Sequence, residues 1–170
     1  MPSMIEALPL STLELLNDLC IGKPDPSNAR RWAGDILATG ISSDALIETA
    51  LLRDDEWQRA GELVHQALED GGILKEPRWQ IALTFLRLLM RAYLDAAITA
   101  EEFSDRFEHA YADQPSAEGI PEAVELPLRS VYKAAVMYSP FPRDRTEYPA
   151  YIGDDQMHEI TRLAAGQLTG

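Results

Sequence analysis

The sequence predicts an all-α protein, and three observations support that prediction. The run from Pro77 to Ile98 contains no glycine, and no proline after its first residue, so nothing interrupts a helix. Its polar residues recur in steps of three or four and form one narrow stripe: Gln80, Thr84, Arg87, Arg91 and Asp95. Capping residues, prolines and glycines divide the rest of the chain into helical lengths, and no segment predicts a strand.

The helix at Pro77 to Ile98 is predicted to be the central helix of the fold. Apolar residues cover most of its circumference, which requires cover on several sides: Trp79, Leu83, Leu86, Leu89, Met90, Tyr93 and Leu94. We therefore expect the helix around Trp79 to Ala97 to be more deeply buried than any other helix. A membrane span is disfavoured because two arginines inside the run would be costly in a bilayer.

The N-terminal region, residues 1–75, is predicted to form short helical hairpins. Ser11 starts its first helix, and Glu14 completes a capping box three residues later. Ser27 is expected to cap the second helix, after a proline-rich break. Gly40 is expected to end that helix as the residue that follows the cap.

Two more helices complete the predicted N-terminal region. Ser42 or Ser43 caps the third, and the fourth runs from about Asp55 to Asp70. The apolar residues expected to face inward are Leu46, Ile47, Ala50 and Leu51 in the third helix, and Trp57, Leu63, Val64 and Leu68 in the fourth.

Residues 76–170 are predicted to form an antiparallel bundle of about four helices, of which the central helix is the first. Thr99 and Glu102 form a second capping box, after a turn so short that the two helices must pack antiparallel. Pro127 is expected at the first position of the next helix. The expected inner residues are Phe103, Phe107, Ala110 and Tyr111, then Leu128, Val131, Ala135 and Tyr138.

The segment Ser139 to Gly153 is predicted to be an irregular loop, because three prolines disfavour a helix there. Long loops in compact domains tend to be functional or folded on themselves. Three aromatic residues are expected to anchor this loop to the bundle: Phe141, Tyr148 and Tyr151. Asp154 or Asp155 then caps the last helix, with inner residues Met157, Ile160, Leu163, Ala164 and Leu168.

The charge balance restricts the class of partner. With 15 basic and 28 acidic residues, the net charge is −13, which indicates either a well-solvated surface or complementarity to a basic partner. Direct binding of nucleic acid is disfavoured, since it requires clustered Lys and Arg. The single cysteine, Cys20, allows no internal disulfide, and the N-terminus has no secretion-signal pattern, so a cytoplasmic location is expected.

No motif predicts an enzyme or a cofactor. The chain has no P-loop, dinucleotide-binding or nucleophile-elbow pattern. His65, His109 and His158 fall on separate predicted helices without a second histidine or cysteine at ligand spacing, so no metal is expected. Arg87 and Arg91 lie one turn apart on the central helix, where they either pair with carboxylates, Asp95 among them, or form an anion-binding spot.

Three pieces of the second half carry a resemblance to a known family. The resemblance covers about Phe85 to Leu168 and is to the immunity proteins of the colicin D type, with their relatives in contact-dependent growth inhibition. The first piece, Ala97 to Phe103 with Arg106 and Phe107, is similar to the family's turn and acidic second helix. The second, Tyr138-Ser139-Pro140 with Pro142, is similar to its Tyr-x-Pro segment. The third, Tyr151 to Met157, is similar to the acidic start of its fourth helix.

The resemblance implies a cytoplasmic protein without enzymatic activity or cofactor. Such proteins bind a cognate basic nuclease toxin, in the type case a tRNA-cutting enzyme, and cover its active cleft. Neither direct contact with nucleic acid nor contact with a membrane is expected. Combined with the acidic composition, it predicts toxin contacts on one helix face and the irregular loop: Glu101, Asp105, Glu108, Tyr138, Asp144, Glu147, Tyr148, Tyr151, Asp154 and Asp155.

A second hypothesis comes from a different class. The protein would be a helical adaptor or regulatory domain whose N-terminal hairpins bind another protein or form a dimer. The loop tyrosines fit either hypothesis, since they can bind a partner or fix the loop to its own bundle. A hidden enzyme ranks third, and the sequence leaves the oligomeric state open.

Overall fold

The computed structural model describes residues 11–20, 24–70, 78–112 and 120–168. All regular elements within these ranges are helices, which confirms the predicted all-α class. The chain divides into two compact units, Met1–Phe85 and Leu86–Gly170, and the division falls inside one helix. None of the helices in these ranges combines the length and the apolar character needed to cross a membrane.

In its described residues, the first unit contains four helices and the start of a fifth. They are α1 (Ser11–Cys20), α2 (Pro26–Ala38), α3 (Asp44–Ala50), α4 (Trp57–Asp70) and the first part of α5 (Arg78–Leu94). The helix α1 packs against α2, α2 against α3 and α3 against α4, and α2 also contacts α4, as expected for short helical hairpins. Their common core includes Leu15, Trp32, Ile36, Leu46, Leu52, Val64 and Leu68.

Polar side chains on one face of α1 join it to α2. Glu14 forms an ion pair with Arg31, and the Ser11 hydroxyl donates to Asp35. These two side chains therefore serve the contact between helices rather than the predicted capping box. A local pattern could not reveal this, because both partners lie far along the chain.

The start of α2 corrects a second predicted cap. Asp25, not Ser27, is the N-cap, and its side chain accepts the backbone N–H groups of Ser27 at 2.7 Å and Asn28 at 3.3 Å. Pro26 then occupies the first helical position, where its missing N–H has no cost. Gly40 ends the helix with φ at 90°, as predicted.

The helix α3 presents a narrower inner face than predicted. Ser43 caps it by accepting the N–H of Leu46, and the buried residues Ala45, Leu46 and Thr49 face the unit. Ile47 and Leu51 were predicted to face inward and are exposed instead, as is Trp57 at the start of α4. A seven-residue helix between two neighbours buries only the stripe that they cover.

The second unit contains the rest of α5 together with α6 (Ala100–Ala112), α7 (Glu122–Val136), α8 (Pro142–Glu147) and α9 (Asp154–Leu168). The helix α7 packs against both α6 and α9. Aromatic rings extend this core: Tyr93 stacks on Phe103 with centroids 4.6 Å apart, and Tyr111 stacks on Tyr132 at 4.7 Å. The core also includes Leu86, Leu89, Met90, Phe107, Leu128, Val131 and Met157.

The burial of α5 confirms the burial that was predicted for the central helix. Among the side chains that the structure describes, α5 contributes more buried ones than any other helix, whereas Thr84 and Arg87 of the polar stripe are half-buried and Arg91 is exposed. The side chains of Trp79 and Gln80 lie outside the described set. The helix ends at Leu94 rather than Ile98, because the chain turns through Ala96 at a φ of 57°.

Proline placement differs from the prediction twice in the second unit. Pro127 lies inside α7 rather than at its start, and Pro121 immediately precedes the helix. Pro142 begins the short helix α8 within a segment predicted to be irregular. Pro142 is tolerated at the first position of its helix, where its missing N–H has no helical partner, whereas Pro127, the sixth residue of α7, forfeits the hydrogen bond to the Ala123 carbonyl.

The last helix also differs in detail. Asp154 and Asp155 occupy its first turn, and Gly153 precedes it, so neither aspartate is the cap. Leu163 was predicted to face inward and is 51% exposed, whereas Thr161 is fully buried and donates to the Met157 carbonyl at 2.8 Å. This hydrogen bond lets a hydroxyl occupy a core position.

Candidate protein-binding surface

The predicted acidic face begins at the first turn of α6, which a capping box holds in place. Glu102 accepts the Thr99 N–H at 2.9 Å, and the Thr99 hydroxyl accepts the Glu102 N–H at 3.2 Å, as predicted. The carboxyl pKa of Glu102 is held below its usual value, mainly by that backbone donor. This reciprocal pair sets the start of α6 and presents Glu101 to solvent.

Tyr138 connects the end of α7 to the start of α9. Its phenol donates to the Asp154 carboxylate at 2.7 Å. Just beside it, the Ser139 N–H donates to the Ile152 carbonyl at 3.0 Å, and the Ile152 N–H donates to the Met137 carbonyl at 2.9 Å. Residues that are distant in sequence are therefore held at fixed positions by main-chain and side-chain bonds together.

Nearby carboxylates act on the phenols of this region. Burial raises the pKa of Tyr138 well above its ordinary value, and the hydrogen bond to Asp154 and the charges of Asp154 and Glu101 raise it further. Burial likewise raises the pKa of Tyr93, with the charges of Asp154 and Asp155 adding to the effect. Asp154 therefore acts on both phenols, whereas Glu101 acts on Tyr138 and Asp155 acts on Tyr93.

The structure thus brings together predicted site residues from three separate elements. Glu101 comes from α6, Tyr138 follows α7, and Asp154 and Asp155 begin α9. We call these four residues the acidic cluster. Tyr93 was assigned to the core from its spacing, and its contribution to this region depends on packing that no sequence motif signals.

Asp105 and Glu108 extend the acidic cluster along α6. They follow Glu101 at distances of about 6 and 10 Å along the helix axis, on the side opposite the buried Phe103 and Phe107. Asp105 is exposed and lies 3.5 Å from the His109 ring nitrogen, whereas Glu108 is half-buried. Both carboxylates are accessible to a partner, Asp105 more fully.

The segment after α7 is held by polar contacts around Ser139. Asp144 accepts the Ser139 hydroxyl at 2.9 Å, and Arg145 donates to the Ser139 carbonyl at 2.7 Å. The Arg145 guanidinium also lies over Gly153, where a Cβ would come within 3.1 Å of Cζ. Asp144 therefore supports its own segment, and Glu147 at the end of α8 is exposed.

The aromatic residues of this segment do not all serve as predicted. Phe141 and Tyr148 are 62% and 55% exposed, so the prediction that they anchor the segment to the bundle is wrong. Tyr151 is half-buried and its ring packs against Tyr148 with centroids 5.6 Å apart. The polar contacts at Ser139 replace the aromatic anchors, which leaves one tyrosine ring available at the surface.

An open cleft of about 380 Å³ lies between α8 and the start of α9. Its walls are Pro140, Arg145, Gly153, Asp154, Asp155 and Gln156. Arg145 was not predicted as a site residue, since its role depends on the close approach to Gly153. The cleft is polar and carries both charge signs, which suits a protein partner better than an apolar small molecule.

Arg87 and Arg91 of α5 are both engaged within the second unit. Arg91 lies 3.5 Å from Asp95, as predicted. Arg87 donates to the Leu168 carbonyl at the end of α9 rather than to a carboxylate, and burial lowers its pKa. Arg87 thus satisfies a C-terminal helix carbonyl, which favours a structural role over an anion-binding one.

Over the described ranges, no group of three or more His, Cys, Asp or Glu side chains is placed to hold a metal ion. His109 packs beside Asp105, and the His158 ring lies edge-on to Tyr93 with centroids 5.9 Å apart. The chain matches no family model, no curated protein and no solved structure.

Proposed function

We propose that the protein is an immunity protein that binds a basic nuclease toxin and covers its active cleft. The observation that supports this most directly is the grouping of Glu101 and Asp154 around Tyr138, with Asp155 next to Asp154 in the first turn of α9. The sequence resemblance to colicin D-type immunity proteins points to the same part of the chain. The net charge of −13 adds long-range attraction to any basic partner.

Carboxylates can replace the phosphates that a nuclease cleft is built to hold. Such a cleft is positively charged, because it must neutralise an RNA or DNA backbone. An acidic surface that occupies it excludes the nucleic acid and needs no chemistry of its own. Attraction between opposite charges speeds association, and added salt weakens it.

Rigidity of the acidic cluster favours this role. The Tyr138–Asp154 bond and the paired main-chain bonds between Met137, Ser139 and Ile152 hold the start of α9 in place. A surface whose side chains are already placed loses less conformational entropy on binding. The exposed Tyr148 adds a flat aromatic ring of the kind that often dominates interface energetics.

A double charge reversal tests the proposal. Asp154→Lys with Asp155→Lys removes the Tyr138 hydrogen bond and places cations at a helix N-terminus, at a cost of about 1 to 2 kcal/mol in stability. We expect the variant to fold and to bind the toxin encoded beside it, in catalytically inactive form, with an association rate constant at least about tenfold lower. Stopped-flow measurements at about 50 and about 300 mM salt should show the difference shrinking as salt rises.

The matched control is Glu69→Lys with Asp70→Lys, at the exposed end of α4. It changes the net charge equally but lies outside the second unit. We expect it to slow association much less and to leave inhibition of the active toxin intact. Equal slowing by both double variants would reduce the effect to net charge, and unchanged binding by the first would remove the acidic cluster from the interface.

A further inference from the structure

Exposed apolar side chains lie on the outer side of α3 and at the start of α4 in the first unit. Ile47 is exposed, Leu51 is 74% exposed and Trp57 is 51% exposed. We call these three residues the α3–α4 corner. The acidic cluster lies in the other unit, so the corner is a separate feature.

The corner has a defined geometry rather than being a loose loop. Ile47 and Leu51 are one turn apart on the outer side of α3, because the buried Ala45, Leu46 and Thr49 occupy the inner side. The chain then turns directly into α4, and Trp57 is the first residue of that helix. The apolar side chains therefore stand on two consecutive helix ends that pack against each other.

Polar contacts hold the backbone of the corner. Arg30 donates to the Leu52 carbonyl at 2.6 Å and to the Asp54 carboxylate at 2.9 Å. Glu56 accepts the Arg53 N–H at 2.8 Å, and Arg59 of α4 pairs with Glu48 of α3 at 2.6 Å. A rigid apolar surface of this kind binds a partner with little ordering cost.

The fold of the first unit does not need these apolar side chains. Leu52, one residue after Leu51, fills the core, and Leu46 does the same one residue before Ile47. Contiguous exposed apolar residues often mark interaction sites, and tryptophan is enriched among residues that dominate binding energy.

The charges around the corner indicate the kind of partner. Asp44 and Asp55 are exposed, and Arg53 lies only loosely against Asp55, at 3.7 Å, whereas Asp54 is paired with Arg30 at 2.9 Å. A second copy of this chain would bring two acidic rims together, which like-charge repulsion disfavours. A helix with an apolar stripe bordered by Lys or Arg complements both the apolar side chains and the carboxylates of Asp44 and Asp55.

We propose that the α3–α4 corner binds an amphipathic, basic helix of a partner protein. Ile47 and Leu51 pack against its apolar stripe, Trp57 covers one end, and Asp44 and Asp55 face its basic residues. This proposal does not depend on the immunity role, since the acidic cluster belongs to the other unit.

A labelled synthetic helix of leucine and lysine at amphipathic spacing tests the corner. We expect it to bind the full chain, and a peptide with glutamate in place of lysine not to bind. Ile47→Ser with Leu51→Ser should weaken binding at least about tenfold in fluorescence anisotropy, because two apolar anchors are lost. The matched control, Leu126→Ser with Leu163→Ser, removes two leucines of similar exposure from the second unit and should leave binding unchanged.

A second set of variants tests whether binding requires the carboxylates beside the corner. Asp44→Asn with Asp55→Asn should weaken binding and reduce its dependence on salt. Circular dichroism of every variant establishes that it remains helical. Inhibition of the toxin by the Ile47→Ser, Leu51→Ser variant should be unchanged, which separates this proposal from the proposed function.

Three results would overturn the proposal. One is unchanged peptide binding by the Ile47→Ser, Leu51→Ser variant. Another is an equal loss in the Leu126→Ser, Leu163→Ser control, which would indicate general adhesion to leucine. The third is a concentration-dependent dimer in sedimentation that the Ile47→Ser, Leu51→Ser change abolishes, because the occupant would then be a second copy.

Discussion

At the scale of single residues, Arg145 and Gly153 set the form of the candidate surface. The guanidinium lies over the glycine and donates to the Ser139 carbonyl, so a side chain at position 153 has little room. Glycine at the position before the first turn of a helix also stabilises the helix more than alanine does. Both effects make this position intolerant of a methyl group.

Gly153→Ala is therefore expected to destabilise the protein by about 1 kcal/mol. Gly34→Ala is the matched control, because a Cβ added there would meet nothing within 4 Å and the residue occupies the interior of α2. That change should stabilise the protein by about 0.5 to 1 kcal/mol through helix propensity. Urea denaturation midpoints measure both.

The contribution of the close approach can be separated from that of the helix start. In an Arg145→Ala background the methyl group meets no guanidinium, so Gly153→Ala should cost less there. An identical cost in both backgrounds would assign the whole effect to the helix start and none to Arg145.

Two aspartates in the first unit predict opposite dependences of stability on pH. Burial raises the pKa of Asp18, although Asn28 and the Asp25 N–H donate to it. The Ser27 hydroxyl, together with the backbone donors of Ser27 and Asn28, lowers the pKa of Asp25. A raised carboxyl pKa means that the folded state binds the proton more tightly than the unfolded state, and a lowered pKa means the reverse.

The stability contributed by the raised pKa of Asp18 is fully present below 3.8 and is lost as pH rises through the folded-state value. Relative to Asp18→Asn, the wild type should therefore lose stability as pH rises from 3.8 through the raised folded-state pKa. The contribution of Asp25 is present above 3.8 and is lost as pH falls through its lowered value. Relative to Asp25→Asn, the wild type should lose stability as pH falls below about 4. Denaturant unfolding across this range measures both slopes, and slopes of the same sign would contradict the assignment.

At the scale of elements, burial separates leucines that look alike in sequence. Leu86 on α5 has no exposed area, whereas Leu163 on α9 is 51% exposed. Both were predicted to face inward. The packing of their helices, rather than hydrophobicity, accounts for the difference.

Leu86→Asp is expected to destabilise the protein by about 4 kcal/mol or more, because it buries a carboxylate without a partner. Leu163→Asp should change stability by only about 0.5 kcal/mol. Thermal melts followed by circular dichroism measure both. A cooperative, near-native melt for Leu86→Asp would contradict the central role of α5.

At the scale of the whole molecule, acidic residues divide evenly between the two units. The net charge therefore explains attraction to basic partners in general but selects no particular surface. The folded chain adds that selection, since Asp154 approaches the phenols of both Tyr138 and Tyr93, Glu101 approaches that of Tyr138, and Asp155 approaches that of Tyr93. In the first unit, the exposed Asp44 and Asp55 are distinguished by their position beside the apolar α3–α4 corner.

The sequence alone determined the features that depend on neighbours within about four residues. The Thr99–Glu102 capping box, the Ser43 cap and the positive φ of Gly40 all follow from local hydrogen bonds and backbone sterics. The period of the polar stripe predicted α5 for the same reason. Such signals suffice for the all-α class and for most helix positions.

Only the tertiary structure decided which side of each short helix is covered and which distant residues meet. Ile47, Leu51 and Leu163 are as apolar as their buried neighbours, and their exposure depends on where the adjoining helices pass. Tyr138 reaches Asp154, and Arg145 reaches Gly153, because backbone pairing between Met137, Ser139 and Ile152 closes the intervening segment. Contacts of this kind depend on the packing of whole elements, which no pattern of adjacent residues specifies.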